Sequence, residues 1–288
     1  MQRYRTLLEA IYRLYEHSGF AMAGAVAYSF VVALFPFCIF LGALAGIFGG
    51  RDLAAHAVEQ LFQILPTKVA EGLAPQVESI MGGNRIDLLT ASAGLSLFFA
   101  TSAIETLRAA LNGAYRVIEK RPYIFCLLRS MFFVLVSAIS MLILTWVVIV
   151  APAIAARVEP ELSTLLVNGS WFGTGVRYTF AGAVVGAQLL AFHLWLAAGK
   201  RRLKDVWPGV LFSMVMWLAM ASLYSYYLNF SDYTRFYAGL SQLMVAMIFF
   251  QLTAVVIILG AELNRGIYEL KRLGAAGMIE HHSSARAA

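Results

Sequence analysis

A few ionisable and amide side chains fall at the ends of, or inside, long apolar segments of the chain. Such groups are costly to place in hydrocarbon, so they usually face a water-filled cavity or one another. The pattern predicts a charged, wet cavity between helices, in which Arg129 pairs with Glu105 or Glu262. The candidate residues for a substrate or ion pathway are Glu105, Asn112, Arg129, Gln188, His193, Gln251, Glu262 and Asn264.

An alternative interpretation treats each of these groups separately. The charged candidates all lie near the end of an apolar segment, where a long side chain is able to extend to the aqueous interface by itself. Gln188 and Gln251 lie deeper in their segments, and a hydrogen bond between neighbouring helices accounts for each of them more simply. The sequence leaves both interpretations open.

The residue types needed for enzymatic chemistry do not occur at the spacings that such chemistry requires. The five histidines form no HxxxH, HxH or HExxH pattern, and the aspartates lie in the connections between apolar segments or at their edges. The sequence also has no P-loop, no GxSxG or CxxC motif and no carboxylate cluster for a two-metal site. We therefore expect no enzyme activity, no catalytic, metal-binding or cofactor-binding residues, and no cofactor.

The composition places the elements that must position these groups in a membrane. Of the 288 residues, 60% are hydrophobic and only 13% are charged, whereas a soluble domain has about 25% charged residues. The 22 Lys+Arg and 16 Asp+Glu residues are too few to cover the surface of a soluble protein of this length. An ordinary soluble enzyme and a disordered chain are thus excluded, and the predicted fold class is an all-α polytopic membrane protein.

Six apolar runs approach or exceed the length of about 20 residues that a helix needs to cross a bilayer. They form a single predicted membrane domain over residues 1–288, and the second, short run extends by a turn toward Leu107. The predicted spans are 21–48, 88–104, 125–156, 178–198, 206–228 and 240–261.

The basic residues indicate how these spans are oriented. With six spans, 16 of the 22 Lys+Arg residues lie on the side of the two termini and 6 lie on the other side. Because cytoplasmic connections carry the excess of positive charge, both termini are predicted to be cytoplasmic. The net charge of +6 mainly reflects this signal, with some attraction to anionic headgroups, so we expect no nucleic-acid partner.

Two connecting segments are amphipathic. In the first outer connection, residues 53–81 carry apolar side chains mostly three or four positions apart, which predicts one or two helices against the outer leaflet or capping the bundle. The first 18 residues show a similar pattern. They fit a helix on the inner membrane surface or, equally well, a solvated extension of the first span.

Small residues and one proline indicate where helices pack or bend. Gly42 with Gly46, and Gly182 with Gly186, each form a GxxxG pair, which lets helices approach closely. We interpret both pairs as internal packing first and dimerisation second, so a homo-oligomer stays open. Pro36, near the middle of the first span, predicts a kink that serves either a binding region or structure alone.

Five short motifs occur in order along the chain. They are Ala27-Tyr28 followed by Leu34-Phe35-Pro36, then Leu111-Asn112-x-x-Tyr115, Trp207-Pro208-Gly209, Tyr237-x-Gly239 and Leu259-Gly260-Ala261-Glu262-Leu263-Asn264. Together they resemble the YihY/BrkB family of bacterial inner-membrane proteins over roughly residues 10–270. Ala33 stands where the family usually has Ser, which argues against a role for a hydroxyl there. Carried over by position, the residues of interest are Tyr28, Pro36, Asn112, Gly260, Glu262 and Asn264.

The resemblance implies a multi-pass protein of the bacterial inner (plasma) membrane. The family carries an old ribonuclease label and a virulence-factor label, and a transporter or lipid-handling role is suspected for it. We expect a transporter or exporter of a lipid or other amphipathic or anionic solute, with membrane lipids as its partners. The alternative is a non-transporting envelope scaffold that acts through residues 53–81, and a membrane-bound hydrolase or nuclease fits the residues least.

Overall fold

The protein is all-helical wherever the computed structural model describes it, which is over residues 2–34, 36, 86–150, 171–230 and 241–287. Two of the helices end in a π-helical turn, at Trp146–Val150 and Phe192–Leu196. The helices are α1 (Gln2–Glu16), α2 (Gly19–Leu34), α3 (Ile86–Tyr115), α4 (Tyr123–Thr145), α5 (Trp171–Ala191), α6 (Leu203–Phe230) and α7 (Ser241–Ala287). The all-α part of the predicted fold class is thereby confirmed for the described residues.

Several of these helices are long and apolar enough to cross a membrane. Four qualify, namely Tyr123–Val148, Gly175–Leu196, Leu203–Leu228 and Leu243–Arg272, and the bent pair Glu9–Glu16 and Gly19–Leu34 makes up to five. The prediction of six spans is therefore not confirmed. Helix α3, which contains the second predicted span, is not among the helices that qualify within the described residues.

The chain bends sharply between α1 and α2. The two helices meet at 69°, and Ser18 between them has a left-handed backbone with φ of 56°. Helix α1 packs against α7, where the Arg13 Nη1 atom lies 2.8 Å from the Glu269 Oε2 atom. The amphipathic N-terminal segment is thus a separate helix anchored on the last helix of the chain.

The most extensive helix contact joins α6 and α7. It crosses at Gly209 and Gly260, where a Cβ atom on either glycine would overlap atoms of the other helix, including the carbonyl oxygen of Gly260 and the hydroxyl of Ser213. The Ser213 Oγ atom donates to the Val256 carbonyl at 3.0 Å. Small residues at a crossing let the two backbones approach, which is how helices associate where lipid removes the usual hydrophobic driving force.

Much of the bundle surface is apolar. Along α4, the large side chains Phe132, Leu135, Ile139 and Leu142 are all exposed. A soluble protein rarely exposes so continuous an apolar face, whereas a helix in contact with lipid must. The exposed face of α4 therefore agrees with the composition in placing the protein in a membrane.

The candidate packing residues lie in different surroundings. Gly182 and Gly186 face Met214 of α6, with the Cβ position of Gly186 only 3.1 Å from the Met214 Sδ atom. The side chain of Tyr28, a candidate hinge or packing residue, is 63% exposed. Pro36 is helical and buried. Gly42, Gly46 and segment 53–81 lie outside the described residues, and the predictions for them stay predictions.

Candidate functional site

The charged candidates meet at one end of the bundle, which we call the polar end and define by residues 105–129, 193–205 and 262–272. Glu105 lies in α3, and its Oε2 atom pairs with the Arg108 Nη2 atom at 2.5 Å. It also accepts a hydrogen bond from the hydroxyl of Ser130 in α4. The predicted pairing of Glu105 with Arg129 is therefore wrong, because an arginine one turn away on the same helix occupies the carboxylate.

Glu119, which follows α3, is the centre of the ion pairs at this end. Its Oε2 atom lies 2.7 Å from both Arg108 Nη1 and Arg121 Nη2, and it accepts from the Asn112 amide at 3.2 Å. The hydrogen bond from Arg121, above all, holds the pKa of Glu119 well below its ordinary value of 4.5. Asn112 also accepts from the Ala198 N–H at 2.6 Å, so Glu119 and Asn112 tie the end of α3 to the chain after α5.

Three arginines donate hydrogen bonds to backbone carbonyls of the π-helical turn that follows α5. Arg129 Nη1 donates to the Trp195 carbonyl at 2.7 Å, Arg121 Nη2 to the Leu196 carbonyl at 3.1 Å, and Arg201 Nη1 to the His193 carbonyl at 3.0 Å. The last carbonyls of a helix lack partners within the helix and carry its negative partial charge. Arg129 therefore stabilises a helix end, while its guanidinium also lies 4.9 Å from the Phe125 ring centre.

A buried row of hydrogen bonds links four helices near this end. The Gly209 N–H donates to Asn264 Oδ1 at 2.7 Å, the Asn264 amide donates to the Tyr115 hydroxyl at 3.3 Å, and that hydroxyl lies 2.8 Å from His193 Nδ1. His193 and Asn264 are almost completely buried. Burial raises the pKa of Tyr115 to about 12, so its hydroxyl stays protonated at neutral pH. His193 is thus a buried residue that is hydrogen-bonded through Nδ1, while its Nε2 atom has no hydrogen-bond partner among the described residues.

We expect the Tyr115→Phe variant to be less stable by about 2 kcal/mol, because it leaves both His193 Nδ1 and the Asn264 amide without a partner in a buried place. Thermal unfolding of the purified protein measures this loss. Tyr12, whose side chain is 66% exposed, supplies the matched control, and Tyr12→Phe should unfold at the wild-type temperature. Equal stability of the two variants would show that the hydrogen-bonded row does not stabilise the fold.

Glu262 in α7 is a buried carboxyl group with few partners. Its side chain is 1% exposed, and its Oε2 atom has no hydrogen-bond partner in the described part of the chain. The nearest cation is Arg116 Nη2 at 3.7 Å, and Arg116 follows α3 with a left-handed backbone. The predicted pairing of Glu262 with Arg129 is therefore also wrong, and Arg116 takes that place.

The polar end contains a cavity of about 740 Å³ between α3, α6, α7 and the connection before α6, which we call the basic cavity. Seven basic residues line it against two acidic ones, Asp205 and Glu269, and buried Tyr115 and Asn264 also contribute to its wall. Its lining consists of Tyr115, Val117, Gly199, Lys200, Arg201, Arg202, Lys204, Asp205, Asn264, Arg265, Tyr268, Glu269, Lys271 and Arg272.

Arg201 is the most constrained cation of this lining. Its guanidinium lies 3.7 Å from the centre of the Tyr115 ring, which is a cation–π contact. Its Nη2 atom donates to the Ala198 carbonyl at 2.5 Å, in addition to the Nη1 bond to His193. Burial lowers the pKa of Arg201, but an arginine stays charged in proteins. The site thus holds a fixed positive charge against an aromatic wall.

A second cavity of about 620 Å³ adjoins the basic cavity and shares Val117, Gly199 and Lys200 with it. It is also rich in positive charge, with Glu119 as the acidic residue of its lining. The basic residues that line it are Arg116, Lys120, Arg121, Arg129 and Lys200.

The structure therefore brings most of the predicted charged residues together but gives few of them a place in a cavity. Asn264 lines the basic cavity and Arg129 lines the second one. Gln188 donates to the Ser137 hydroxyl at 2.6 Å, which is the helix-to-helix hydrogen bond of the alternative interpretation. Gln251 lies beside Gly24 of α2. The candidates that line neither cavity are Glu105, Asn112, Gln188, His193, Gln251 and Glu262.

Sequence reasoning missed most of the residues that line the basic cavity. In the sequence analysis, the basic residues Lys200, Arg201, Arg202 and Lys204 were used only to predict the orientation of the spans. Four cations in one short connection also indicate an anion site. Tyr115 carried a signal too, because its spacing of three from Asn112 places both side chains on one face of α3.

Comparison with known proteins identifies relatives over almost the whole chain. A family model described as Virulence factor BrkB matches residues 10–283. A protein of Bacillus subtilis (strain 168), named "Putative ribonuclease-like protein YfkH", is 26% identical over 272 residues, which cover 93% of this chain and 96% of that protein. No solved structure matches the chain. The matched region contains the lining of both cavities.

Proposed function

The chain belongs to the BrkB virulence-factor family, and on this premise we propose that it transports or exports an anionic lipid or another amphipathic anion. The observation that carries the proposal is the basic cavity of about 740 Å³ with seven basic and two acidic residues in its wall. Positive charge concentrated in a concave site raises the local concentration of an anionic ligand and favours its entry.

An apolar stripe on α6 begins beside this cavity and supports an amphipathic ligand. Lys204 lines the cavity, and Trp207, Leu211, Val215 and Leu218 follow it at spacings of three or four, so that all five share one face of the helix. These four apolar side chains are each more than half exposed. A ligand with its charged head in the cavity is able to lay its apolar part along this stripe, as a lipid requires.

The proposal places the protein in a bacterial inner membrane, with both termini and the basic cavity on the cytoplasmic side. The bias of 16 of the 22 Lys+Arg residues toward one side supports this orientation, because cytoplasmic segments retain positive charge. Substrate would then enter from the cytoplasm or from the inner leaflet.

We further infer that the protein is not an enzyme and has no nucleic-acid partner, although the B. subtilis relative carries the name "ribonuclease-like". No histidine is among the residues that line the two described cavities. Glu119 pairs with Arg108 and Arg121, Glu269 pairs with Arg13, and Asp205 lies 4.0 Å from Lys271. Each carboxylate of the two linings thus has a basic neighbour, which argues against a free carboxylate acting as the general base of a hydrolysis.

The test is a flux measurement on the purified full-length chain in proteoliposomes. Two fluorescent short-chain lipids with identical tails are compared, one with an anionic and one with a zwitterionic head group. We expect the anionic lipid to cross at least about tenfold faster than in protein-free liposomes, which corresponds to about 1.4 kcal/mol of barrier. Rates equal to those of protein-free liposomes for every anionic amphiphile, with folded protein, would contradict the proposal. Release of nucleotides from RNA by the same preparation would instead support a nuclease.

A further inference from the structure

The lining of the basic cavity also indicates the chemical class of the head group. We propose that this cavity binds a phosphate group that carries two negative charges and no attached cation, as in a phosphomonoester. The inference rests on the proposed function for the amphipathic character of the ligand, but not for the phosphate itself. The cavity thus recognises the phosphate dianion, which a lipid head group and free phosphate have in common.

The first argument is the balance of charge. The basic residues of the lining exceed its acidic residues by five. Glu269 is already paired with Arg13 and Arg265, at 2.8 and 2.6 Å, and Asp205 lies 4.0 Å from Lys271. Within the described residues, five cations of the lining have no acidic partner, namely Lys200, Arg201, Arg202, Lys204 and Arg272. A ligand with a single negative charge leaves most of this excess uncompensated, whereas a dianion compensates more of it.

The second argument is the type and the fixation of the donors. The planar guanidinium of Arg201 has five N–H donors. Its Nη1 and Nη2 atoms each donate to one carbonyl, and the Tyr115 ring supports its face, so donors remain available while the group is held in place. An oriented arginine binds phosphate oxygens in a bidentate manner, and neighbouring lysines add point charges. A preorganised fork of this kind loses little entropy when a phosphate binds.

The third argument is the position of α6. This helix begins at Leu203, and the cavity is lined by Arg202, Lys204 and Asp205 around that point. The Asp205 N–H of this first turn already donates to the Arg202 carbonyl at 2.9 Å, but the positive end of the helix dipole favours phosphate. The helix dipole and the side-chain cations thus meet at the same place.

The same lining disfavours zwitterionic head groups. A choline or ethanolamine group attached to the phosphate would bring a cation among seven basic residues, and like charges at such distances repel. A phosphodiester monoanion is expected to bind more weakly than a phosphomonoester, because it carries half the charge. The order of affinity should therefore be phosphomonoester, anionic phosphodiester, zwitterion.

A binding titration on the full-length chain in detergent tests this order, with Trp fluorescence or calorimetry as the readout. The probes are dihexanoyl phosphatidate, dihexanoyl phosphatidylglycerol, dihexanoyl phosphatidylcholine and inorganic phosphate. We expect phosphatidate to bind about tenfold more tightly than phosphatidylglycerol, which is one step of about 1.4 kcal/mol, and phosphatidylcholine to bind most weakly. Inorganic phosphate that binds as tightly as phosphatidate would identify free phosphate as the source, and weaker binding would identify a lipid.

The pH dependence of the binding affinity reports on the charge of the ligand. The second ionisation of a phosphomonoester has a pKa of about 6, while the described lining contains no histidine. Phosphatidate should therefore bind more tightly at pH 8 than at pH 5.5, and phosphatidylglycerol should not change. An affinity for phosphatidate that is unchanged over this range would overturn the assignment of a dianion.

Two variants and one control locate the site. Arg202→Gln and Lys204→Gln each remove one cation without touching the carbonyl contacts of Arg201, and each should weaken phosphatidate binding several-fold. Lys120→Gln is the matched control, because Lys120 lines the second cavity and not the basic one. This variant should bind phosphatidate as tightly as the wild type. The proposal would be overturned if Lys120→Gln weakened phosphatidate binding as much as the other two variants. It would also be overturned if an amphiphile with the same dihexanoyl tails and a carboxylate head group bound as tightly as phosphatidate. Binding without flux would instead refute the transport function and leave the phosphate site standing.

Discussion

The Gly260→Ala variant is expected to lose about 3 kcal/mol of its free energy of unfolding, although alanine is the better helix former. A Cβ atom at this position would overlap the Ser213 hydroxyl and lie 2.7 Å from the Gly209 carbonyl oxygen. Backbone atoms do not move aside cheaply, so α6 and α7 must separate at their crossing. Overpacking of this kind costs about 1–3 kcal/mol by itself, and the separation also strains the bond from Gly209 to Asn264.

The same substitution elsewhere should have the opposite sign. A Cβ atom at Gly113 in α3 meets nothing within 4 Å, and Gly→Ala in an open helical position stabilises by about 0.5–1 kcal/mol. Thermal or denaturant unfolding of the two purified variants compares them directly. If Gly260→Ala proved as stable as Gly113→Ala, the close crossing of α6 and α7 would be refuted.

The Glu262→Gln variant is expected to abolish transport while the protein stays folded and abundant. The buried Oε2 atom of Glu262 has no hydrogen bond among the described residues, and its cation lies 3.7 Å away. We expect such a carboxylate not to stabilise the fold, because the cost of desolvation exceeds the attraction. Glutamine keeps the shape and removes the charge, so the unfolding temperature should stay equal or rise. An ionisable group retained in a membrane bundle at such a cost usually serves function. Its partner Arg116 lines the second cavity, which shares Val117, Gly199 and Lys200 with the basic cavity.

The flux assay in proteoliposomes measures this effect, and Glu9→Gln is the control because Glu9 is exposed on α1. We expect wild-type flux from the control and only the protein-free rate from Glu262→Gln. Full flux in the Glu262→Gln variant would remove this carboxyl group from the transport mechanism. A lower unfolding temperature would show instead that Glu262 stabilises the fold.

The sequence predicted an all-helical fold correctly because helix formation depends on local properties. Apolar runs determine helices in lipid, where every backbone N–H and C=O group must be bonded within its own segment. Glu105, Arg129 and Glu262 were expected near the ends of apolar segments, and all three lie at the polar end of the bundle. The packing of Gly186 on another helix also followed from its small size.

The sequence could not predict which charges pair, because the partners depend on packing between distant segments. Arg129 binds a carbonyl 66 positions away, and Glu262 lies beside Arg116. Long side chains have several partners within reach, and only the helix crossings decide among them. The π-helical turn at Phe192–Leu196 redirects the carbonyls that three arginines bind, and no residue pattern indicates such a turn. The basic residues before α6 were used only to predict the orientation of the spans, so their position in the wall of a cavity was not predicted.

The central claim is that the basic cavity receives the charged head of an anionic amphiphile. A density map of the full-length chain in nanodiscs that contain phosphatidate tests this most directly. The structure predicts a phosphate-sized peak within hydrogen-bond distance of the Arg201 guanidinium, with tail density along Trp207, Leu211 and Val215. A map in which the cavity holds only water, while phosphatidate surrounds the bundle elsewhere, would contradict the claim.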